Sequence, residues 1–457
     1  MNRRDFISSA AWTGAAAFVA GCMGENLKLT AGVGAPMQGF VSSKMDRVRV
    51  GVVGLGARGS LALPRLRKVP GVEITALSEV REPQLERAYK QCKTSGSAQV
   101  KLFRGEEGYK GLCDCPDVDV VYNCTPWHLH APVSVYAMKA GKHVMIEVPA
   151  AMRLEECWQL VETAEDTRRH CMQLENCCYG EYELLFLNLC RKGLLGELIH
   201  GEGAYIHDRR WQIFNDSQWR RWRNRWNREH CGNQYSTHGL GPVCQYMNIN
   251  RGDRLDYLVS TDSRQVGYER YADGTLPPGD ERRETRFQMA DMNVTTIRTA
   301  LGRTIMLQHD VSSPRPYSRL NLIAGTNGVA RSYPRLDIML EKRYPRSAKE
   351  CHHRFDDAET ERIRVEHMHP MWKVAGELAK KVGGHGGMDY LMDLRWVHCL
   401  RNGLPLDTDV YDLAAWCSVN ELSERSARNR SRSEDIPDFT GGGWKIAKPL
   451  GIVSVPV

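Results

Sequence analysis

The stretch Arg47-Val-Arg-Val-Gly-Val-Val-Gly54-Leu-Gly-Ala-Arg-Gly59 decides how this chain folds. A β-branched run reaches a G-x-G-x-x-G turn, and Ser60 to Lys68 can continue as a helix. That is the strand, turn and helix order of a dinucleotide site: glycine permits the tight turn and the close approach of backbone to ligand, while the helix N-terminus faces the pyrophosphate. Gly54, Gly56, Arg58 and Gly59 are therefore candidate cofactor-binding residues. A second strand, Val72 to Leu77, follows at the right interval, with Glu79 just beyond it to accept hydrogen bonds from the adenosine ribose. A carboxylate there disfavours the extra phosphate of NADP, which makes NAD the expected cofactor.

A third strand, Val118 to Asn123, runs into Cys124-Thr-Pro-Trp-His-Leu-His130. Pro126 should stop it at the carboxyl end of the sheet, where ligands of open α/β sheets bind, leaving Thr125, Trp127 and His128 beside the nicotinamide. By itself a histidine here, His128 or His130, is more often a satisfied loop residue than a catalytic one. A helix over Ala131 to Ala140 and a strand ending at Glu147-Val148-Pro149 come next. Helix Leu154 to Arg169 and strand Cys171 to Glu175 then lead to Asn176, and Glu181 to Arg191 has helical spacing.

Ahead of this body lies Asn2-Arg3-Arg4-Asp5-Phe6-Ile7, a twin-arginine export signal, followed by an apolar stretch, Ala10 to Ala20, too short to span a bilayer. The twin-arginine route carries proteins already folded around a cofactor, so leader and fingerprint agree. Val19-Ala-Gly-Cys22 reads as a lipobox that would leave Cys22 lipidated; an ordinary signal peptide with a chance cysteine is the alternative. Residues 1–21 are expected to be a signal peptide and 22–44 a flexible tether, holding the protein to the cell envelope by lipid alone. Residues 45–175 should form the NAD-binding Rossmann domain and 176–457 a substrate-binding α/β domain with C-terminal helices packing back.

The net charge of +7 is spread along the chain, and its densest basic run, Arg209 to Arg228, alternates with tryptophans. Such interleaving can bind nucleic acid, but indoles also stack on pyranose faces, and the expectation is a sugar site with no nucleic acid. The 15 cysteines lack the spacing of a disulfide framework or of metal ligands, so buried thiols and no metal are expected. Ile199 to His207 resumes as a strand whose alternation places Gly201, Gly203 and Tyr205 on one open face, where Tyr205 could serve a hydrophilic ligand or simply pack. Tyr235 and His238 are three apart, on the first turn of an expected helix, and so could approach one substrate atom, although His238 could equally be structural. Residues 264–286, charged and carrying Pro277-Pro-Gly279, read as a surface excursion, while 293–299 and 304–309 alternate like further strands.

The order G-x-G-x-x-G, N-C-T-P-x-x-x-H and G-K-H-V-x-x-E-x-P resembles the sugar oxidoreductases named for glucose-fructose oxidoreductase, inositol dehydrogenase and rhizopine catabolism proteins. That resemblance implies a doubly wound Rossmann sheet followed by an α/β domain with an open, largely antiparallel sheet. In one position the chain departs: where such dehydrogenases usually have Glu-Lys-Pro, Val148 stands, and valine cannot move a proton. W-R-N-R-W-N-R, G-N-x-Y-x-T-H-G-L-G-P and E-V-P-A-A are similar to glycoside hydrolase family 109, the NAD-dependent α-N-acetylgalactosaminidases within that superfamily.

What this second resemblance implies is transient oxidation at C3 of the sugar, loss of the C2 proton, departure of the aglycone from C1, addition of water and re-reduction. It places Glu147, Val148 and Asn176 with the residues above around the cofactor. Tyr205, Arg223, Tyr235, His238 and Tyr317 then fall to the substrate, with His238 as acid-base and Tyr235 assisting. On the residues alone Arg223 and Tyr317 could be solvated or structural. A net NAD-dependent sugar dehydrogenase and a lipid-tethered, non-catalytic glycan-binding protein stay open as alternatives, and a homo-oligomer is compatible with either.

Overall fold

The computed structural model describes residues 35–93, 100–219, 221–343 and 354–455. Cys22 and the twin-arginine leader lie outside the described residues. Six parallel strands form the first sheet: β1 (Val48–Val53), β2 (Val72–Glu79), β3 (Lys101–Arg104), β4 (Val120–Asn123), β5 (His143–Ile146) and β6 (Cys171–Gln173). Their order, β3-β2-β1-β4-β5-β6, is doubly wound. The near-continuous apolar burial of β1, β4 and β5 follows from cover on both faces, by helices that include α1 (Ala57–Leu66), α2 (Trp127–Lys139) and α3 (Leu154–Thr167).

Expectation and structure part at two places here. Helix α2 begins at Trp127 rather than Ala131, because Pro126 takes the N-cap with an extended backbone and starts the helix instead of merely ending the strand. The region expected as a tether is docked from residue 35 onward: Met37 is buried and its amide donates to the Tyr411 hydroxyl at 3.1 Å, while Arg168 lies 4.4 Å over the Phe40 ring.

The second sheet has eight strands: β7 (Leu198–Ile206), β8 (Leu255–Asp262), β9 (Asn293–Thr299), β10 (Thr304–Asp310), β11 (Leu322–Gly325), β12 (Gly328–Arg331), β13 (Asp337–Leu340) and β14 (Glu434–Asp435), ordered β13-β12-β11-β7-β10-β9-β8-β14. Only β7 and β10 run parallel. The face carrying Gly201 and Gly203 is not open, as expected from its alternation, but covered by α4 (Thr237–Tyr246). A methyl at Gly201 would sit 2.5 Å from Val243 Cγ1, and one at Gly203 would strike the Gly239 backbone. The glycines thus let the helix lie on the strand, and Tyr205 emerges just past its N-terminus. Opposite, His200 and Glu202 of β7 stay partly exposed.

Helices α5 (Pro370–Val382), α6 (Met388–Asn402) and α7 (Val410–Arg428) pack back against the body, α6 on the first sheet and α7 on α3 and β8. No helix of the described residues is long and apolar enough to cross a membrane. All 13 described cysteines are free, and 11 are buried.

Candidate active site

A second apolar cluster, separate from the main core, joins Trp127, Val148 and Met152 of the first domain to Tyr205, Tyr235, Phe214, Tyr268 and Phe287 of the second. The segment expected to be a surface excursion supplies part of it. Residues 267–275 are helical, Tyr268 is wholly buried, and its hydroxyl donates to the Val311 carbonyl at 3.4 Å. Met289 N donates to Asn227 O and Arg282 Nη1 to Phe214 O, so this excursion and the Arg-Trp run are bonded into one cover. Its aromatic residues, not its charges, decided its place, since a Tyr buried among Phe rings outweighs a hydrophilic average.

Inside that cover His238 and Tyr235 stand with ring centroids 5.0 Å apart, edge to face. They do not share a helical turn: α4 starts at Thr237, so Tyr235 precedes it and reaches His238 from the incoming loop. Asn233 Oδ1 accepts the Tyr235 amide, and Gln234 ties the loop to the Asn420 carbonyl of α7. Tyr205 completes the group, 4.5 Å from Tyr235 and 5.7 Å from His238. Its hydroxyl meets His207 Nδ1 and Arg209 Nη1, each at 3.1 Å.

Glu175 is the member that sequence reasoning missed. Its Oε1 lies 2.6 Å from His238 Nδ1, and the carboxylate is buried at the end of β6. Burial works against its charge, but His238 and the Cys177 amide help to outweigh burial and hold it below the usual carboxylate range. A charged acceptor at Nδ1 leaves Nε2 as the ring nitrogen that meets a ligand. An acidic residue at a strand's carboxyl end, next to Asn176, was the available signal.

Arg223 lies 5.0 Å over Trp127 and 4.9 Å over Tyr235, which fixes a cation against two aromatic faces. Among the described residues it has no carboxylate partner, and burial followed by the nearby Arg209 charge lowers its pKa. Burial, then the Arg209 and Arg223 charges, hold His207 down to about 4, and burial with the Arg223 charge holds His309 to about 3, so both are neutral near pH 7. Burial raises the Tyr235 phenol, which therefore acts as a neutral hydrogen-bond donor. Tyr317 is exposed, stands 5.3 Å from His207, and accepts from Arg319 Nη1 at 3.2 Å.

Toward the first sheet, Glu79 closes the fingerprint by accepting from Leu55 N at 2.6 Å. A Cβ on Gly56 would meet nothing within 4 Å, so the glycine faces a hollow at the N-terminus of α1 where a pyrophosphate fits. Arg58 Nη2 pairs with the buried Glu147 at 2.8 Å. Thr125 donates from both its amide and its hydroxyl to Asn123 Oδ1, and Asn176 Nδ2 donates to Asp389 Oδ1 at 2.5 Å. Trp127 and Val148 face the shared cluster, whereas His128 is exposed in the first turn of α2, outside it. His130 is structural: its nitrogens meet the Pro149 and Thr125 carbonyls, each at 2.7 Å.

Glu175, Cys177 and His238 together have metal-ligand chemistry. However, Glu175 Oε1 is already held by His238 Nδ1, and burial holds the Cys177 thiol well above its ordinary range, against the thiolate a metal needs.

Two family models match in succession: an oxidoreductase family with an NAD-binding Rossmann fold over residues 48–174, and the C-terminal domain of glycosyl hydrolase 109 over 179–446. A glycosyl hydrolase family 109 protein of Shewanella pealeana is 44% identical over 463 residues, covering 99% of each chain. One from Phocaeicola vulgatus is 46% identical over 404 residues, covering 87% of this chain and 96% of its own. Among solved structures, a levoglucosan dehydrogenase in complex with NADH and levoglucosan superposes with a TM-score of 0.64 at 18% identity, over 86% of this chain and all of that one. The resemblance at that identity is one of fold.

Proposed function

The chain belongs to glycosyl hydrolase family 109, and we propose that it hydrolyses terminal α-linked N-acetylgalactosamine with no net redox change. Its first domain binds NAD. The observation that carries this reading is the Glu175–His238 pair, with Tyr205 and Tyr235 against the imidazole and Trp127 beside Tyr235. Bound nicotinamide supplies a reversible hydride acceptor, so C3 of the sugar is oxidised and later restored.

This chain's residues do the rest. With Glu175 on Nδ1, His238 Nε2 takes the C2 proton made acidic by the C3 ketone, and the imidazolium it becomes is stabilised by the carboxylate. The same nitrogen can return the proton when the ring is restored. Tyr235 donates to a ring oxygen beside it, and Arg223 donates to the acetamide carbonyl or a hydroxyl while its flanking indole and phenol exclude water. Val148, packed apolar beside Trp127, offers no proton route of its own, which supports a cycle that runs through His238.

The test is a panel of aryl glycosides with purified, NAD-loaded protein, following aglycone release and absorbance at the NADH band together. Release from α-N-acetylgalactosaminide without NADH accumulation is the expected result. Stoichiometric NADH would instead establish a net dehydrogenase, and neither signal with retained glycan binding a non-catalytic binder. We further propose twin-arginine export and a lipid on Cys22, supported by the leader motif; palmitate labelling of the full chain and of C22A tests it.

A further inference from the structure

The segment Gly383-Gly-His-Gly-Gly387 joins α5 to α6, and all five residues have positive φ, His385 at 47° among them. Such a backbone is strained for histidine and natural for its neighbours. A Cβ at Gly384 would lie 2.7 Å from Asp389 Cβ, and one at Gly387 2.8 Å from the Ala379 carbonyl carbon, whereas Gly386 faces open space. The loop is therefore pressed onto its two helices on one side. On the other it displays one functional side chain, that of His385, which is 55% exposed.

His385 is tied to the dinucleotide fingerprint through one buried carboxylate. Its Nδ1 lies 3.0 Å from Asp389 Oδ2 and 3.3 Å from Asn176 Nδ2. Asp389 also meets Arg65 Nη1 at 3.4 Å and Arg58 Nη1 at 3.6 Å, and these partners hold it below the ordinary carboxylate range against its burial. Arg58 belongs to the glycine turn itself. Arg58, which compensates Asp389 and also pairs with Glu147, starts the helix whose first amides no side chain caps, so those amides are free to meet a ligand phosphate beside this carboxylate.

We propose that His385 is a cofactor-binding residue, delivered by the second domain to the pyrophosphate of NAD. With Nδ1 held by Asp389, Nε2 is the ring nitrogen left to meet a ligand, so one imidazole bridges a protein carboxylate and a ligand phosphate. The strap then holds the cofactor through repeated turnovers, as a cycle that returns its own hydride requires. The inference rests on NAD binding and not on the identity of the sugar.

The experiment measures NADH release from preloaded full-length protein by loss of its fluorescence into a lactate dehydrogenase trap. H385A should release NADH about 10- to 100-fold faster than wild type, the worth of one charge-assisted hydrogen bond. H385R should recover much of the loss, and the melting temperatures of the nucleotide-free proteins should agree. Equal release rates for H385A and wild type would overturn the proposal. So would a faster rate accompanied by a lower nucleotide-free melting temperature and no recovery in H385R, because His385 would then only brace Asp389. Aryl glycoside cleavage does not enter this readout, so failure of the glycosidase reading is separately visible.

Discussion

Glu175 Oε1 lies 2.6 Å from Nδ1 of His238, and the two residues are 63 positions apart in the chain. The pair makes the histidine directional: the carboxylate selects the tautomer and orients the ring, and Nε2 is left to the substrate. Replacement by glutamine keeps the shape but can offer Nδ1 an N–H in place of an acceptor. E175Q should therefore lower kcat about 10²- to 10⁴-fold with a much smaller change in KM, read from initial rates on an aryl N-acetylgalactosaminide. An unchanged kcat would remove Glu175 from the mechanism.

H238A takes away the proton acceptor while leaving the fingerprint intact. Hydrolysis should fall to background, but NAD should remain bound, as the absorbance of gel-filtered protein will report. Loss of cofactor along with activity would mean that His238 supports the site rather than acting in it.

Arg223 is held by faces rather than by a carboxylate, 5.0 Å from Trp127 and 4.9 Å from Tyr235. A lysine cannot reproduce a planar fork lying against two rings, so R223K should raise KM about tenfold and R223M more, with melting temperatures close to wild type. A KM unmoved in both variants would place the acetamide elsewhere.

Two glycines of the fingerprint should separate binding from folding. Gly56 has φ −67° and open space where a side chain would go, so G56V should fold normally and weaken NAD about 10- to 100-fold by titration calorimetry. Gly59 is pressed against the Gly54 carbonyl, and G59A should lower the melting temperature with or without NAD.

His369 caps the helix that follows it, accepting from Met371 N at 3.2 Å, and burial pushes its pKa down to about 4. In the unfolded chain it titrates near 6.5, so the unfolded state binds the extra proton between those values. Its stabilising contribution is complete above pH 6.5 and is lost as pH falls toward 4, on the order of 3 kcal/mol in all. H369N retains a capping acceptor without the titration and should flatten the acid limb of melting temperature against pH. An acid limb as steep as wild type would refute this assignment.

Elements whose pattern is local were legible in the residues. Glu181–Arg191 and Asn293–Thr299 form with the bounds their periodicity implies, and β1 meets its glycine turn as read. Trp127 and Tyr235, expected at one site, lie 5.9 Å apart in the fold. The failures share a cause. Hydrophilic average hid Tyr268, small residues hid the docking of Met37, and an alternating strand hid the helix that Gly203 was there to admit. In each case a distant partner overrides the local pattern.

The amino-acid sequence by itself determined the strand-glycine-helix unit, its acidic end at Glu79 and the chemistry available around His238. Those depend on steric rules that act within a few residues. Only the tertiary structure decided that Glu175 holds His238, that Arg223 lies on Trp127, and that His385 shares a carboxylate with Arg58. These contacts exist because α4 lies flush on a strand at Gly203 and α6 packs on the first sheet, and close approach of two elements is a property of neither alone.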